Sequence, residues 1–138
     1  MPLATRKGVD LPTVNMTVAD ACTRYWEDKN ADVVDTDKLA WSLGWIEKHF
    51  GRTTRLVDIG DNDIAKMVAK RRGEPRVNVA KLTAAKRRGK PCADDRPVSK
   101  ATVNRTVTEP MRQILTRARK VWKVPVQQID WAVHMLPE

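Results

Sequence analysis

Ser99-Lys100-Ala101-Thr102-Val103-Asn104-Arg105-Thr106-Val107-Thr108-Glu109-Pro110-Met111-Arg112-Gln113-Ile114-Leu115-Thr116-Arg117-Ala118-Arg119-Lys120-Val121-Trp122 is the longest amphipathic run in the chain. Ser99 stands where a helix N-cap belongs, its hydroxyl able to accept from the backbone of the first turn. Val103, Val107, Met111, Ile114, Ala118 and Val121 recur in steps of three and four, which lines them up as one apolar stripe. Arg105, Thr108, Arg112, Thr116 and Arg119 fall on the opposite face, the three arginines seven residues apart. Pro110 lies inside the run, where it removes a backbone donor and is expected to bend the helix. A helix with a single apolar stripe has to be covered by other elements, which the neighbouring sequence must supply.

Towards the N-terminus, residues 73–98 show no helical stripe and contain Gly73, Pro75, Gly89, Pro91 and Pro97. Their one alternating patch, Arg76 to Leu82, reads as a short hairpin or strand, or as part of a long basic loop. Before it, Asp61-Asn62-Asp63 opens a helix with acids in the first turn, followed by apolar Ile64, Met67 and Val68. A longer helix is expected from Asp35 to Phe50, stopped by Gly51, with Leu39, Leu43, Ile46 and Phe50 as its core stripe. Trp41 and Trp45 lie on the far side of that stripe; they either pack against a second element, such as the segment holding Trp131, or face DNA. Thr17-Val18-Ala19-Asp20 has the form of a capping box, and Val18, Ala21, Cys22 and Tyr25 continue a helix to about Lys29. Residues 1–16 read as a loose leader, and a short helix is expected around Ile129–Met135. The fold class is therefore all-α, a bundle of four or five helices.

The 138 residues suffice for one compact domain. No apolar run approaches the roughly 20 residues of a membrane span. Nor does the start, Met1 to Gly8, have the form of a secretory signal. Two cysteines, Cys22 and Cys92, are too few for a disulfide framework and fit a reducing cytoplasm. The formal charge of +9 is unevenly spread: residues 1–65 are net −3, residues 66–90 net +9 and residues 91–138 net +3. A basic block of 25 residues points to a polyanionic partner held at that place, against the plainer reading of a solvated loop.

Motifs of catalysis are missing. The sequence has no glycine-rich phosphate loop, no Cys-x-x-Cys and no His-Glu-x-x-His. His49 and His134 lie in different segments without ligands at metal spacing, and read as surface or boundary residues. Cys22 and Tyr25 fall on a core stripe, and Asp61/Asp63 and Asp94/Asp95 read as helix-start and loop charges. No cofactor and no metal site are expected.

Val98-Ser99-Lys100-Ala101-Thr102-Val103-Asn104-Arg105, with Ile114-Leu115 and Ala118-Arg119-Lys120-Val121-Trp122 behind it, resembles the last long helix of the core-binding domain in phage-integrase-type tyrosine recombinases. Leu56-Val57-Asp58-Ile59 is similar to that family's link before its third helix, and Thr17 to Asp20 with Tyr25 to its first helix. The resemblance covers residues 17–126. It implies a SAM-like bundle forming half of a clamp around duplex DNA, with the second and fourth helices facing the major groove. It also implies that residues 127–138 begin a linker to a catalytic domain absent from this chain, whose parent is a site-specific tyrosine recombinase. Tyr25 does not match the position of the family's nucleophile.

The resemblance and the residue chemistry together nominate a DNA-binding set. Lys100, Thr102, Asn104, Arg105 and Arg112 on the last long helix supply phosphate contacts and side chains able to reach base edges. Lys38 and Ser42 on the second helix, and Arg71, Arg72, Arg87 and Arg88 in the basic block, complete it. The expected partners are double-stranded DNA and, on DNA, other recombinase protomers, with no membrane and no small-molecule substrate. The expected setting is the cytoplasm of a bacterium or a phage-encoded function at its nucleoid. A helical protein-interaction domain, its basic block binding an acidic partner, is the alternative. An RNA-binding module is weaker, since aromatic residues for base stacking are scarce beyond Trp41 and Trp45.

Overall fold

Residues 12–75 and 97–138 are described in a computed structural model, and every regular element among them is helical. Helix α1 (Val18–Lys29) starts with the expected reciprocal cap. Thr17 Oγ1 accepts from Asp20 N at 3.2 Å and Asp20 Oδ2 accepts from Thr17 N at 3.3 Å. Helix α2 (Thr36–Phe50) is capped by Asp35, which accepts from Lys38 N at 3.1 Å, and ends at Gly51 with φ of 91°. The connection after Gly51 then wraps the start of α1. Thr54 O accepts from Val18 N at 2.8 Å and Arg52 O from Ala19 N at 3.1 Å, satisfying donors that a helix start leaves open.

Helix α3 (Asp61–Arg72) follows a short 3-10 turn (Leu56–Asp58), and Asp63 accepts from Gly60 N at 3.0 Å. Helix α4 spans 100–120 in three continuous pieces: Lys100–Val103, a π-helical turn Asn104–Thr108, and Glu109–Lys120. Ser99 caps it as expected, accepting from Thr102 N at 3.2 Å. The last short helix, α5, is Trp131–His134.

The π-turn has a local cause. Pro110 has no N–H and its ring excludes the carbonyl four residues back, so a regular turn cannot close there. The helix widens just before it, and Glu109 N donates five residues back to Asn104 O. This alters which side chains face inward. Val103, Val107, Met111, Ile114 and Ala118 are buried as the stripe requires. Thr108, expected outside, is fully buried, while Val121, expected inside, is 54% exposed and Trp122 takes its place at 4%.

Helix α4 runs through the middle of the molecule, touching α1, α2 and α3. Ile46, Ile64, Met67, Met111 and Ile114 are each at most 1% exposed. Each such side chain contributes about 1.5–3 kcal/mol of burial before chain entropy is charged against it.

The domain is wider at both ends than the sequence indicates. Residues 12–15 form a 3-10 turn, and Met16 O accepts from Leu56 N at 3.0 Å, so this part of the expected leader packs on the bundle. Residues 127–138 likewise fold back on the bundle. Gln127 Nε2 donates to Val57 O at 2.9 Å, and Trp131 and Leu136 pack against the core. The rest of the leader, the alternating patch from Arg76 to Leu82 and Cys92 lie outside the described residues.

Candidate nucleic-acid interface

The end of α3 and the beginning of α4 meet at Arg71. Its Nε donates to Thr106 Oγ1 at 3.2 Å, its Nη1 to Glu74 Oε1 at 2.8 Å, and its guanidinium lies 4.7 Å from the Trp41 ring centroid. Glu74 also accepts from Trp45 Nε1 at 3.0 Å, and its backbone carbonyl from Val98 N at 3.0 Å. Pro75 and Pro97 form an isolated antiparallel bridge beside this contact. Residues 75 and 97 therefore lie side by side next to the α3–α4 contact. The second surface covering Trp41 and Trp45 is the end of α3, not the segment holding Trp131. Trp45 also stacks on His49 with ring centroids 5.1 Å apart, and Trp41 stays 46% exposed.

Several nominated residues present their charge to solvent near this junction. Lys100 and Arg105 are exposed at the start of α4, and Arg72 is exposed at the end of α3. Thr102 is half-buried, its Oγ1 accepting from Ser99 Oγ at 2.9 Å. Lys38 is exposed on α2, where Asp35 lies 3.9 Å away. Arg112 is exposed but paired with Glu109, whose carboxyl it holds below the usual carboxylate range by hydrogen bonding.

Three nominated residues are turned inward, and each for a visible reason. Asn104 is 3% exposed. Its Nδ2 donates to Leu136 O at 2.9 Å and Glu138 Oε2 at 3.0 Å, and its Oδ1 accepts from Leu136 N at 2.9 Å. It fastens the last residues to the π-turn. Ser42, 5% exposed, lies on the inner side of α2 between Leu39 and Ile46. Arg71, 8% exposed, holds the α3–α4 junction. Arg87 and Arg88 lie outside the described residues. Sequence reasoning passed over Lys66 and Lys70, both exposed on α3 away from Ile64, Met67 and Val68. The signal was available: both belong to the basic block, one helical turn apart.

Among the described residues, Cys22, Tyr25 and His134 are held within the fold. Cys22 is 3% exposed, and burial, aided by the Glu47 charge, pushes its thiol up to about 12. Tyr25 is buried and its hydroxyl donates to Gln113 Oε1 at 2.6 Å. His134, expected near the surface, is 7% exposed, with Nε2 2.8 Å from Asp61 Oδ1. That same oxygen accepts from Asp130 N at 3.0 Å, so Asp61 ties the start of α3 to the last segment. Among the described residues no group of three or more His, Cys, Asp or Glu could hold a metal ion. No helix among them is long and apolar enough to cross a membrane.

In comparisons with known proteins, the chain matches no family model, no curated protein and no solved structure.

Proposed function

We propose that this chain is the DNA-gripping module of a phage-integrase-type site-specific tyrosine recombinase, a SAM-like bundle that holds duplex DNA at the recombination core site. The observation that supports it best is the pairing of a serine-capped α4 start, exposing Lys100 and Arg105, with the exposed Lys66, Lys70 and Arg72 of the adjoining α3. Cations on two packed helix ends can neutralise successive phosphates, which gives affinity, while an arginine at a helix start can read a guanine edge. The segment rooted between Pro75 and Pro97 adds Arg76, Lys81, Lys86, Arg87, Arg88, Lys90 and Arg96 to the same locality in the chain. Burial of Asn104 leaves Arg105 as the base reader of the set, with Lys100, Lys66, Lys70 and Arg72 as phosphate contacts. In this reading, strand cleavage belongs to a catalytic domain of the parent protein, and the module works with other protomers on cytoplasmic, nucleoid DNA.

The test is fluorescence anisotropy on random duplexes and on duplexes enriched by selection against the chain. Binding should weaken steeply with salt, log K falling with log salt at a slope of about −0.9 per phosphate neutralised. Arg105→Ala should cost about 1–3 kcal/mol on selected duplexes and much less on random ones. Lys70→Ala should weaken both equally and lower the slope by about one. No duplex binding at low salt, or binding indifferent to salt, would overturn the proposal.

A further inference from the structure

We infer that the chain self-associates, the acidic turn between α1 and α2 of one copy seating in a cationic groove between α1 and the second half of α4 of another. The groove has a volume of about 310 Å³. Tyr25, Lys29, Gln113, Thr116, Lys120 and the 54% exposed Val121 line it. Arg112 and Arg117 also border it, but Glu109 and Asp28 neutralise them. Among the described residues Lys29 and Lys120 have no carboxylate partner, so the groove offers two uncompensated positive charges beside an apolar surface.

The chain carries the complement of this groove. Asp32-Val33-Val34-Asp35-Thr36-Asp37 presents Val34 entirely to solvent, the most exposed of the large apolar side chains among the described residues, with Asp32 and Asp37 exposed around it. An apolar knob flanked by carboxylates matches an apolar groove flanked by ammonium groups. Lys29, in the groove's lining, is the last residue of α1, only three residues before Asp32. Knob and groove are thus close along the chain, and Asp32 N donates to Lys29 O at 3.0 Å. A two-fold axis passing between them lets each copy give its turn and receive its partner's, which closes the assembly as a dimer rather than an open chain. One short turn on each side buries little surface, so the association is weak and sensitive to salt.

The inference is independent of the DNA reading and is tested without nucleic acid. Sedimentation velocity of the full chain at low salt, from ~10 µM to ~1 mM, should show a monomer–dimer equilibrium with Kd on the order of 0.1 mM. Val34→Asp and Lys120→Glu, both at exposed positions, should each weaken it about tenfold or more, with circular dichroism unchanged. Reversing both sides together, with Asp32→Lys and Asp37→Lys added to Lys29→Glu and Lys120→Glu, should restore it. A monomer at every concentration overturns the inference, as does a dimer indifferent to both single variants. A monomeric chain that binds a free peptide of residues 32–37 would give the groove to a foreign acidic segment and overturn self-association as well.

Discussion

Thr108 has a fully buried hydroxyl whose oxygen has no hydrogen-bond partner among the described residues. Desolvating a hydroxyl without compensation costs about 1–3 kcal/mol, and valine has nearly the same shape without that cost. Thr108→Val is therefore expected to stabilise the chain by about 1 kcal/mol, read as a higher urea midpoint with unchanged slope. A lower midpoint would mean that the hydroxyl is satisfied after all. Its inward direction was not legible in the sequence, because the phase of α4 shifts at a turn that no periodicity count contains. The burial of Asn104 was illegible for a different reason. Its amide chemistry suits a base edge, yet the same donor and acceptor fit the backbone of Leu136, 32 residues away. Only the folded chain decides between two partners of equal chemistry. Arg105, one residue on, has no such competitor among the described residues and stands exposed where the sequence put it.

Element boundaries were the most legible part. The box of Thr17 and Asp20, the Asp35 cap, the Gly51 stop and the Ser99 cap are local chemistry within one turn of chain, and all four are present. What the sequence could not convey is that these local devices also hold distant elements. Gly51 shows this best. With φ of 91° and ψ of 139° it occupies backbone space that side-chain-bearing residues rarely enter, and it turns the chain so that Arg52 and Thr54 meet the start of α1. Gly51→Ala is expected to cost about 1–3 kcal/mol in urea unfolding, and to speed amide exchange at Val18 and Ala19 ahead of the rest of α1. An unchanged exchange pattern would show that the two helix ends are not coupled through this turn. The last segment was illegible for the same physical reason: His134 reaches Asp61 across 73 residues of sequence.

At the scale of the whole molecule, the titrating groups predict a stability optimum with two different shoulders. His49 is held below its ordinary value by burial and by the neighbouring Lys70 charge. The unfolded chain then takes up a proton that the native chain does not, so stability falls as the pH drops below about 6.5. Asp61, Asp28 and Glu109 are held low through hydrogen bonds from His134, Arg117 and Arg112 respectively. Their contribution is complete above the unfolded carboxylate values and is lost as pH falls through the native ones, below about 4. On the alkaline side the Cys22 thiol, raised from 9.0 to about 12, stays neutral while the unfolded thiol ionises. Stability therefore declines again from pH 9 upward. Thermal melts across pH should show both limbs, and His49→Gln should flatten the segment between pH 7 and 5 without touching the steeper loss below 4. A profile flat to pH 4.5 in the parent chain would contradict the assignment to His49.

The bridge between Pro75 and Pro97 has a consequence for how such a chain can change over time. Because Pro75 and Pro97 meet at one seam, fixed by Arg71, Glu74 and Val98, a longer segment between them has no greater distance to span. Doubling such an insertion adds only about 0.6 kcal/mol of closure entropy. The seam thus sets only a low entropic barrier to changes of length between residues 75 and 97.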